Sequence, residues 1–113
     1  MHELSLIQGV LETAEKLLAP YQAKRVNTLT VSAGVLANIM PEALDYAFLA
    51  LTQGTLFQGA RLILEKRPLT ALCQDCGGDY ESATLPPVCP ICGSHRAEIV
   101  NGGEVLLTHI DFD

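Results

Sequence analysis

Basic residues are scarce in this sequence of 113 residues, and their scarcity excludes one class of partner. Seven Lys and Arg residues stand against thirteen Asp and Glu residues, which gives a formal net charge of −6. Within positions 69–97, which hold all the cysteines, Arg96 is the only Lys or Arg. Because a surface that follows a phosphate backbone needs several cations, we expect no nucleic-acid partner.

Long apolar runs are also missing. Near the N-terminus, polar residues such as Ser5, Gln8 and Glu12 interrupt every hydrophobic stretch. A membrane-spanning helix needs about 20 consecutive apolar residues, and a signal peptide places basic residues before its apolar segment. The chain instead begins Met-His-Glu-Leu. We therefore expect a cytoplasmic protein with no membrane partner.

The residue sets that carry side-chain catalysis are absent as well. No Ser/His/Asp set, phosphate-binding glycine loop or matched pair of carboxylates stands out in the sequence. His95 follows a cysteine pair, and we interpret it either as a surface residue or as a neighbour of the metal ligands; His109 lies in a predicted strand, and we interpret it as a solvated residue rather than a ligand. These absences favour a binding or carrier protein, and we expect no enzymatic activity.

The apolar residues that are present predict two helices and three strands. In the first segment they recur at three- and four-residue spacing up to Pro20, which stops the helix. Alternation then indicates a half-buried strand, and Pro41 suits the first turn of a second helix. The predicted helices cover 4–19 and 41–53, and the predicted strands cover 26–35, 60–66 and 104–112. This order predicts an α+β fold, with two helices packed on a small mixed or antiparallel sheet.

The segment 69–97 differs from the rest of the chain in composition. It holds all four Cys and three of the six Pro, with little helical periodicity. We interpret it as a zinc-ribbon module that is inserted before the final strand. The predicted domains are therefore 69–97, which binds zinc, and 1–68, which is completed by the closing segment 98–113.

The four cysteines form two Cys-x-x-Cys pairs, Cys73 with Cys76 and Cys89 with Cys92, and a Gly follows each pair. Two intervening residues let a tight turn direct both sulfurs at one ion, and the Gly supports the positive φ of such a turn. Two turns of this kind predict a closed, tetrahedral, structural zinc site. Reduced thiols without metal and a rubredoxin-type iron site are the alternatives. The short gap between the pairs and the scarcity of aromatic residues around them weigh against iron.

His2 offers a second set of metal ligands. If Met1 is retained, its α-amine, the backbone nitrogen of His2 and the His2 imidazole can close two adjacent chelate rings. Planar amide and imidazole donors suit Ni²⁺ or Cu²⁺. A His at position 2 is usually only an exposed terminal residue, so this pattern alone is weak.

Five motifs are spread over the full length of the chain: Met-His-Glu-Leu-Ser at 1–5, Pro-Glu-Ala-Leu at 41–44, Gly-Thr-Leu-Phe-Gln-Gly-Ala at 54–60, both Gly-terminated cysteine pairs, and Ile-Asp-Phe-Asp at 110–113. With these motifs the whole pattern resembles the HypA/HybF nickel metallochaperones of NiFe-hydrogenase maturation.

This resemblance implies a non-enzymatic carrier with two metal sites. Ni(II), the transported ion, would bind at Met1, His2 and Glu3 in the nickel-binding domain 1–68. Structural Zn(II) would bind at Cys73, Cys76, Cys89 and Cys92. The resemblance also implies two protein partners, the GTPase HypB and the hydrogenase large-subunit precursor, and some members of the family serve urease.

Two other functions remain open from the sequence. One is a zinc-ribbon adaptor that binds proteins without transferring metal, and the other is a rubredoxin-like electron carrier. The sequence leaves the oligomeric state open between monomer and homodimer.

Overall fold

The computed structural model describes residues 3–113, in which it shows two α-helices, two short 3-10 helices (Ala19–Tyr21 and Val35–Ala37) and six strands. The α-helices are α1 (Glu3–Leu18) and α2 (Pro41–Thr52). The strands are β1 (Val26–Gly34), β2 (Arg61–Arg67), β3 (Leu69–Cys73), β4 (Asp79–Ser82), β5 (Ala97–Asn101) and β6 (Val105–Phe112). Both predicted helices and all three predicted strands are present, and the predicted α+β class is confirmed. No helix within residues 3–113 combines the length and the apolarity that crossing a bilayer requires.

The strands form two three-stranded sheets, in the orders β2-β1-β6 and β4-β3-β5. In the second sheet, β3 pairs antiparallel with both neighbours, and a register shift between Thr70 and Ala71 interrupts its pairing with β5. The sequence predicted only the first of these sheets. Strands β3, β4 and β5 were missed because four or five residues between turns carry too little periodicity to identify a strand.

The chain divides into two compact units. The first comprises residues up to Ser32, Ile39–Glu65 and Leu106–Asp113. In this unit α1 packs against α2. Its core is apolar, with fully buried Ile7, Leu29 and Leu44.

Strand β1 is more buried than its alternating sequence predicts. From Leu29 to Gly34 every residue is buried, including Thr30 and Ser32 on the face that was expected to be solvated. The expectation of a half-buried strand is therefore wrong. Because β1 is the central strand of its sheet, its small polar side chains lie between neighbours on both sides.

The second unit comprises Ala33–Asn38 and Lys66–Val105. Its small core consists of Leu69, Ala71, Cys73, Tyr80 and Cys89, against which Val35 and Leu36 pack. Two backbone hydrogen bonds attach the segment Ala33–Asn38 to the rest of this unit. The Gly34 amide donates to the Glu104 carbonyl and the Leu36 amide donates to the Gly102 carbonyl, both at 2.9 Å. The unit is thus larger than the cysteine-rich segment 69–97, and the division into a nickel-binding and a zinc-binding domain stays a prediction.

Candidate metal centre

Two turns with the same hydrogen-bond pattern present the four cysteines. The amide of Gly77 donates to the carbonyl of Cys73 at 2.9 Å, and the amide of Gly93 donates to the carbonyl of Cys89 at 2.8 Å. Gly77 has a φ of 77° and Gly93 a φ of 75°, a conformation that side chains disfavour. The positive φ that the sequence predicts after each cysteine pair is therefore confirmed. We call the two turns, residues 73–77 and 89–93, the first and second knuckle.

The two knuckles bring their sulfur atoms together. All four Sγ atoms lie within 4.8 Å of one another. The distances from Cys73 to Cys92 and from Cys76 to Cys89 are both 3.6 Å, which is far longer than a disulfide bond of about 2.05 Å. A tetrahedron with metal–sulfur bonds of about 2.3 Å has sulfur–sulfur edges of about 3.8 Å. The four thiols therefore fit a single tetrahedral metal ion.

The knuckle backbone favours ionisation of the first cysteine of each pair. The Cys76 amide lies 3.5 Å from Cys73 Sγ, and this hydrogen bond is the largest cause that lowers the pKa of the Cys73 thiol to about 6. The pKa of Cys89 is also lowered, chiefly by the backbone amide of Cys92. Amides directed at sulfur stabilise the thiolate, the form that binds metal.

The second cysteine of each pair behaves in the opposite way. A hydrogen bond from the Ser94 backbone lowers the pKa of Cys92, but the contact with Cys73 and burial outweigh it and raise the pKa to about 12. For Cys76 the Gly78 backbone likewise lowers the pKa, while contacts with Cys89 and Cys73 give a net rise. Four adjacent thiolates repel one another, so full ionisation of this cluster requires a cation at its centre.

Burial divides the four ligands in the same way. Cys73 and Cys89 are each only 1% exposed, whereas Cys76 and Cys92 are exposed. No His, Asp or Glu within residues 3–113 joins the four cysteines as a further ligand atom. This donor set suits a closed four-sulfur site that holds a metal, rather than an open site that activates water.

Tyr80 is a buried polar neighbour of the cluster that the sequence did not single out. It belongs to the same core as Cys73 and Cys89, and no described residue hydrogen-bonds its hydroxyl. Burial, followed by the negative charge of the nearby cysteines, raises the pKa of Tyr80. The phenol therefore stays neutral and adds no charge to the metal site.

The predicted nickel ligands are largely outside the part of the chain that the structure describes. Met1 and His2 lie outside the described residues, and Glu3 is the first residue of α1. The surface interpretation of the other two histidines agrees with the structure, since His95 and His109 are both exposed. The nearest polar group recorded for His109 is the hydroxyl of Thr108, at 3.1 Å from Nδ1.

Comparison with known proteins gives one consistent family. Residues 1–112 match the family described as "Hydrogenase/urease nickel incorporation, metallochaperone, hypA". The hydrogenase maturation factor HypA of Aquifex aeolicus is 35% identical over 113 residues, which cover 100% of this chain and 98% of that protein. The HypA of Desulfitobacterium hafniense strain DCB-2 is 36% identical over 113 residues, covering 100% of this chain and 99% of that protein.

Solved structures show a similar fold. The solution structure of the Ni metallochaperone HypA from Helicobacter pylori matches with a TM-score of 0.68 at 23% sequence identity. The match covers 99% of this chain and 97% of that protein.

Proposed function

The chain belongs to the HypA family of hydrogenase and urease nickel-incorporation metallochaperones, and from this premise we propose that it binds Ni(II) at its N-terminus and delivers it to the large-subunit precursor of a NiFe hydrogenase. The observation that carries the proposal is the extent of the family match. It spans residues 1–112, so it includes the N-terminal Met-His-Glu together with both knuckles. We propose a cytoplasmic carrier without enzymatic activity, for which nickel is cargo.

The proposed nickel ligands are the α-amine of Met1, the backbone nitrogen and imidazole of His2, and the region of Glu3. Glu3 begins α1, and the buried side chains of Leu6 and Ile7 fix this helix in the core of the first unit. A site at the start of an anchored helix would remain accessible to a partner. Few protein ligands would allow rapid transfer of nickel by ligand exchange, whereas a closed site of four thiolates would release its metal far more slowly.

We propose that the four cysteines hold structural Zn(II). Sulfur–sulfur distances of 3.6 Å agree with the tetrahedral geometry that zinc adopts with four thiolates. When bound, zinc supplies a divalent charge at the centre of the cluster. The proposed protein partners are a HypB GTPase and the hydrogenase precursor, and the oligomeric state is proposed as monomer or homodimer.

Nickel titration of three proteins tests the carrier function. The wild type, His2→Ala and a form with one residue added before Met1 are titrated with Ni²⁺ by calorimetry, with zinc already bound. Removing the imidazole or displacing the amine should each weaken nickel binding by about tenfold or more, the size typical for loss of a metal-site group. The matched control is His109→Ala, which removes an exposed imidazole elsewhere. If neither N-terminal change alters the affinity, the proposed nickel site is wrong.

The alternative function, a protein-binding adaptor without metal transfer, is favoured by one observation. Ile91 is 74% exposed and Val100 63% exposed, both in the second unit. Exposed apolar side chains mark a protein-interaction surface where they lie together in one patch. A wild type that binds no Ni²⁺ but binds a hydrogenase precursor would support the adaptor over the carrier.

A further inference from the structure

Each knuckle is closed by its own hydrogen bonds, so a separate set of contacts must hold the two together. The Gly77–Cys73 bond closes the first knuckle, and the Gly93–Cys89 bond closes the second. Neither bond crosses from one knuckle to the other. A four-sulfur site nevertheless requires the two pairs of thiolates to stay at a fixed distance.

Asp75, inside the first knuckle, contacts the residues that directly follow the second. One carboxylate oxygen accepts a hydrogen bond from the Ser94 hydroxyl. The other lies 3.1 Å from Nη1 of Arg96, with which it forms a salt bridge. The Ser94 hydroxyl in turn accepts the backbone amide of Arg96 at 3.0 Å. We call these three residues, Asp75, Ser94 and Arg96, the carboxylate clasp.

The clasp acts beside a backbone contact between the same segments. The Gln74 amide donates to the Arg96 carbonyl at 2.8 Å, and Cys73 pairs with Ala97 across β3 and β5. Ser94 is also linked to the second knuckle itself, because its carbonyl accepts the Cys89 amide at 2.9 Å. The clasp therefore connects the middle of the first knuckle to the residue that directly follows the second.

We propose that Asp75 is a positioning residue, which fixes the second knuckle against the first and so slows the loss of metal from the four-cysteine site. This inference rests on the proposed zinc site. A metal ion leaves such a site by losing its thiolates in turn, and a detached thiolate that is held close binds again before the others dissociate. Without the clasp, Cys92 and Cys89 can separate farther from Cys73 and Cys76, and recapture becomes slower.

A general role in stability does not account for these contacts. The side chains of Asp75 and Arg96 are 41% and 76% exposed, and an ion pair this exposed contributes little to the free energy of unfolding. Its effect should instead be local, on the metal site. The competing explanation is that the negative charge of Asp75 attracts the metal ion. Such a charge effect needs no contact with Ser94, so replacing Ser94 distinguishes it from the clasp.

The experiment measures the rate at which zinc passes from the fully loaded protein to an excess of a coloured chelator. The variants are Asp75→Ala, Ser94→Ala and the double variant, with Asp79→Ala as the matched control. Asp79 is exposed, has the same charge and lies three residues beyond Cys76, but no side-chain hydrogen bond or ion pair involves it in the described structure. Asp75→Asn tests rescue, because its amide oxygen can still accept the Ser94 hydroxyl.

Asp75→Ala and Ser94→Ala should each release zinc about tenfold faster than the wild type, as expected when a partner of a metal ligand shell is removed. The double variant should be no faster than Asp75→Ala, because both changes break the same link. Asp75→Asn should fall between Asp75→Ala and the wild type, and Asp79→Ala should stay within about twofold of the wild type. Cobalt(II) substitution reports the geometry separately, and the clasp variants should show altered visible bands while keeping four thiolate ligands.

Three results would overturn the inference. These are release from Asp75→Ala within about twofold of the wild type, equal acceleration by Asp79→Ala, and a double variant whose acceleration is the product of the two single effects. If Asp75→Ala fails to fold, Asp75→Asn takes its place. The clasp is then refuted if Asp75→Asn releases zinc at the wild-type rate while Asp79→Ala releases zinc faster than the wild type. If the wild type itself holds no zinc, the proposed zinc site fails, and this outcome is distinct from equal release rates among loaded proteins.

Discussion

Replacing Gly34 by alanine should destabilise the protein strongly, because its α-carbon lies against the backbone of Gly102. A Cβ at position 34 would lie 1.9 Å from the carbonyl oxygen of Gly102 and 2.3 Å from its carbonyl carbon. Real Cβ atoms do not approach other atoms so closely, so the backbone must move. This segment belongs to the second unit, which also contains the four cysteines.

The backbone of Gly102 has little room to move away from a side chain at position 34. Its carbonyl already accepts the Leu36 amide at 2.9 Å. Its α-carbon faces Leu69, whose Cβ would be only 2.7 Å from a Cβ built on Gly102. Overpacking of a closed site costs about 1–3 kcal/mol, and a weakened buried hydrogen bond adds about 1 kcal/mol. We expect the free energy of unfolding to fall by about 3 kcal/mol.

Thermal unfolding of the zinc-loaded protein measures this change. With an unfolding entropy of about 2.1 cal/mol/K per residue, a chain of this length that unfolds as a whole should lose about 12 °C in Tm. Gly9→Ala is the matched control, because Gly9 is exposed in α1 and a Cβ there meets nothing within 4 Å. Alanine in a helix interior is favoured over glycine by about 0.5–1 kcal/mol, so the control should gain about 2–4 °C.

The same substitution should thus have opposite signs at the two positions. A Gly34→Ala protein that melts within about 2 °C of the wild type would refute the close contact between Gly34 and Gly102. A Gly9→Ala protein that loses as much stability as Gly34→Ala would show that the loss does not come from that contact.

Two further predictions concern the metal. Removal of zinc by a chelator should unfold residues 69–97, because Leu69, Ala71 and Tyr80 form only a small apolar core without the cysteines. The helical circular dichroism should stay largely intact, and loss of all helical signal would contradict this prediction. Zinc binding near pH 8 should release protons chiefly from Cys76 and Cys92, because the pKa values of these two thiols are raised, in the latter case to about 12. Cys73, with its pKa lowered to about 6, is already ionised at pH 8. Protons therefore compete with zinc for this thiolate only as the pH falls through about 6, where the affinity for zinc should drop further. Calorimetry in buffers of different ionisation enthalpy measures proton release, and a count that does not change with pH would refute these shifts.

The main helices and strands could be predicted from the sequence because each has a clear period or a terminal residue. Pro41 begins α2 as expected, and α1 ends at Leu18, two residues before Pro20. The strands around the cysteines could not be predicted, since β3 and β4 acquire their order from pairing with each other rather than from local propensity. The burial of Ser32 was missed for a related reason, because a central strand is covered by neighbours that its own sequence does not reveal.

The metal site likewise has features that the sequence predicts and features that it does not. The residue types and spacing of the two cysteine pairs were sufficient to predict a four-sulfur cluster, because each knuckle is a local turn whose geometry depends on a few adjacent residues. Gly77 and Gly93 adopt the positive φ that this turn requires. The contact of Asp75 with Ser94 joins residues 19 positions apart, and no local pattern indicates it.

The sequence by itself determined the scarcity of basic residues, the two helices, the two knuckles and the resemblance to a nickel-carrier family, because all of these depend on composition or on residues close together in the chain. Only the tertiary structure decided that the four sulfurs meet at tetrahedral distances, that Gly34 lies against Gly102, and that Asp75 joins the two knuckles. These features depend on contacts between distant segments, and such contacts are fixed by the packing of the whole unit rather than by any short stretch of sequence.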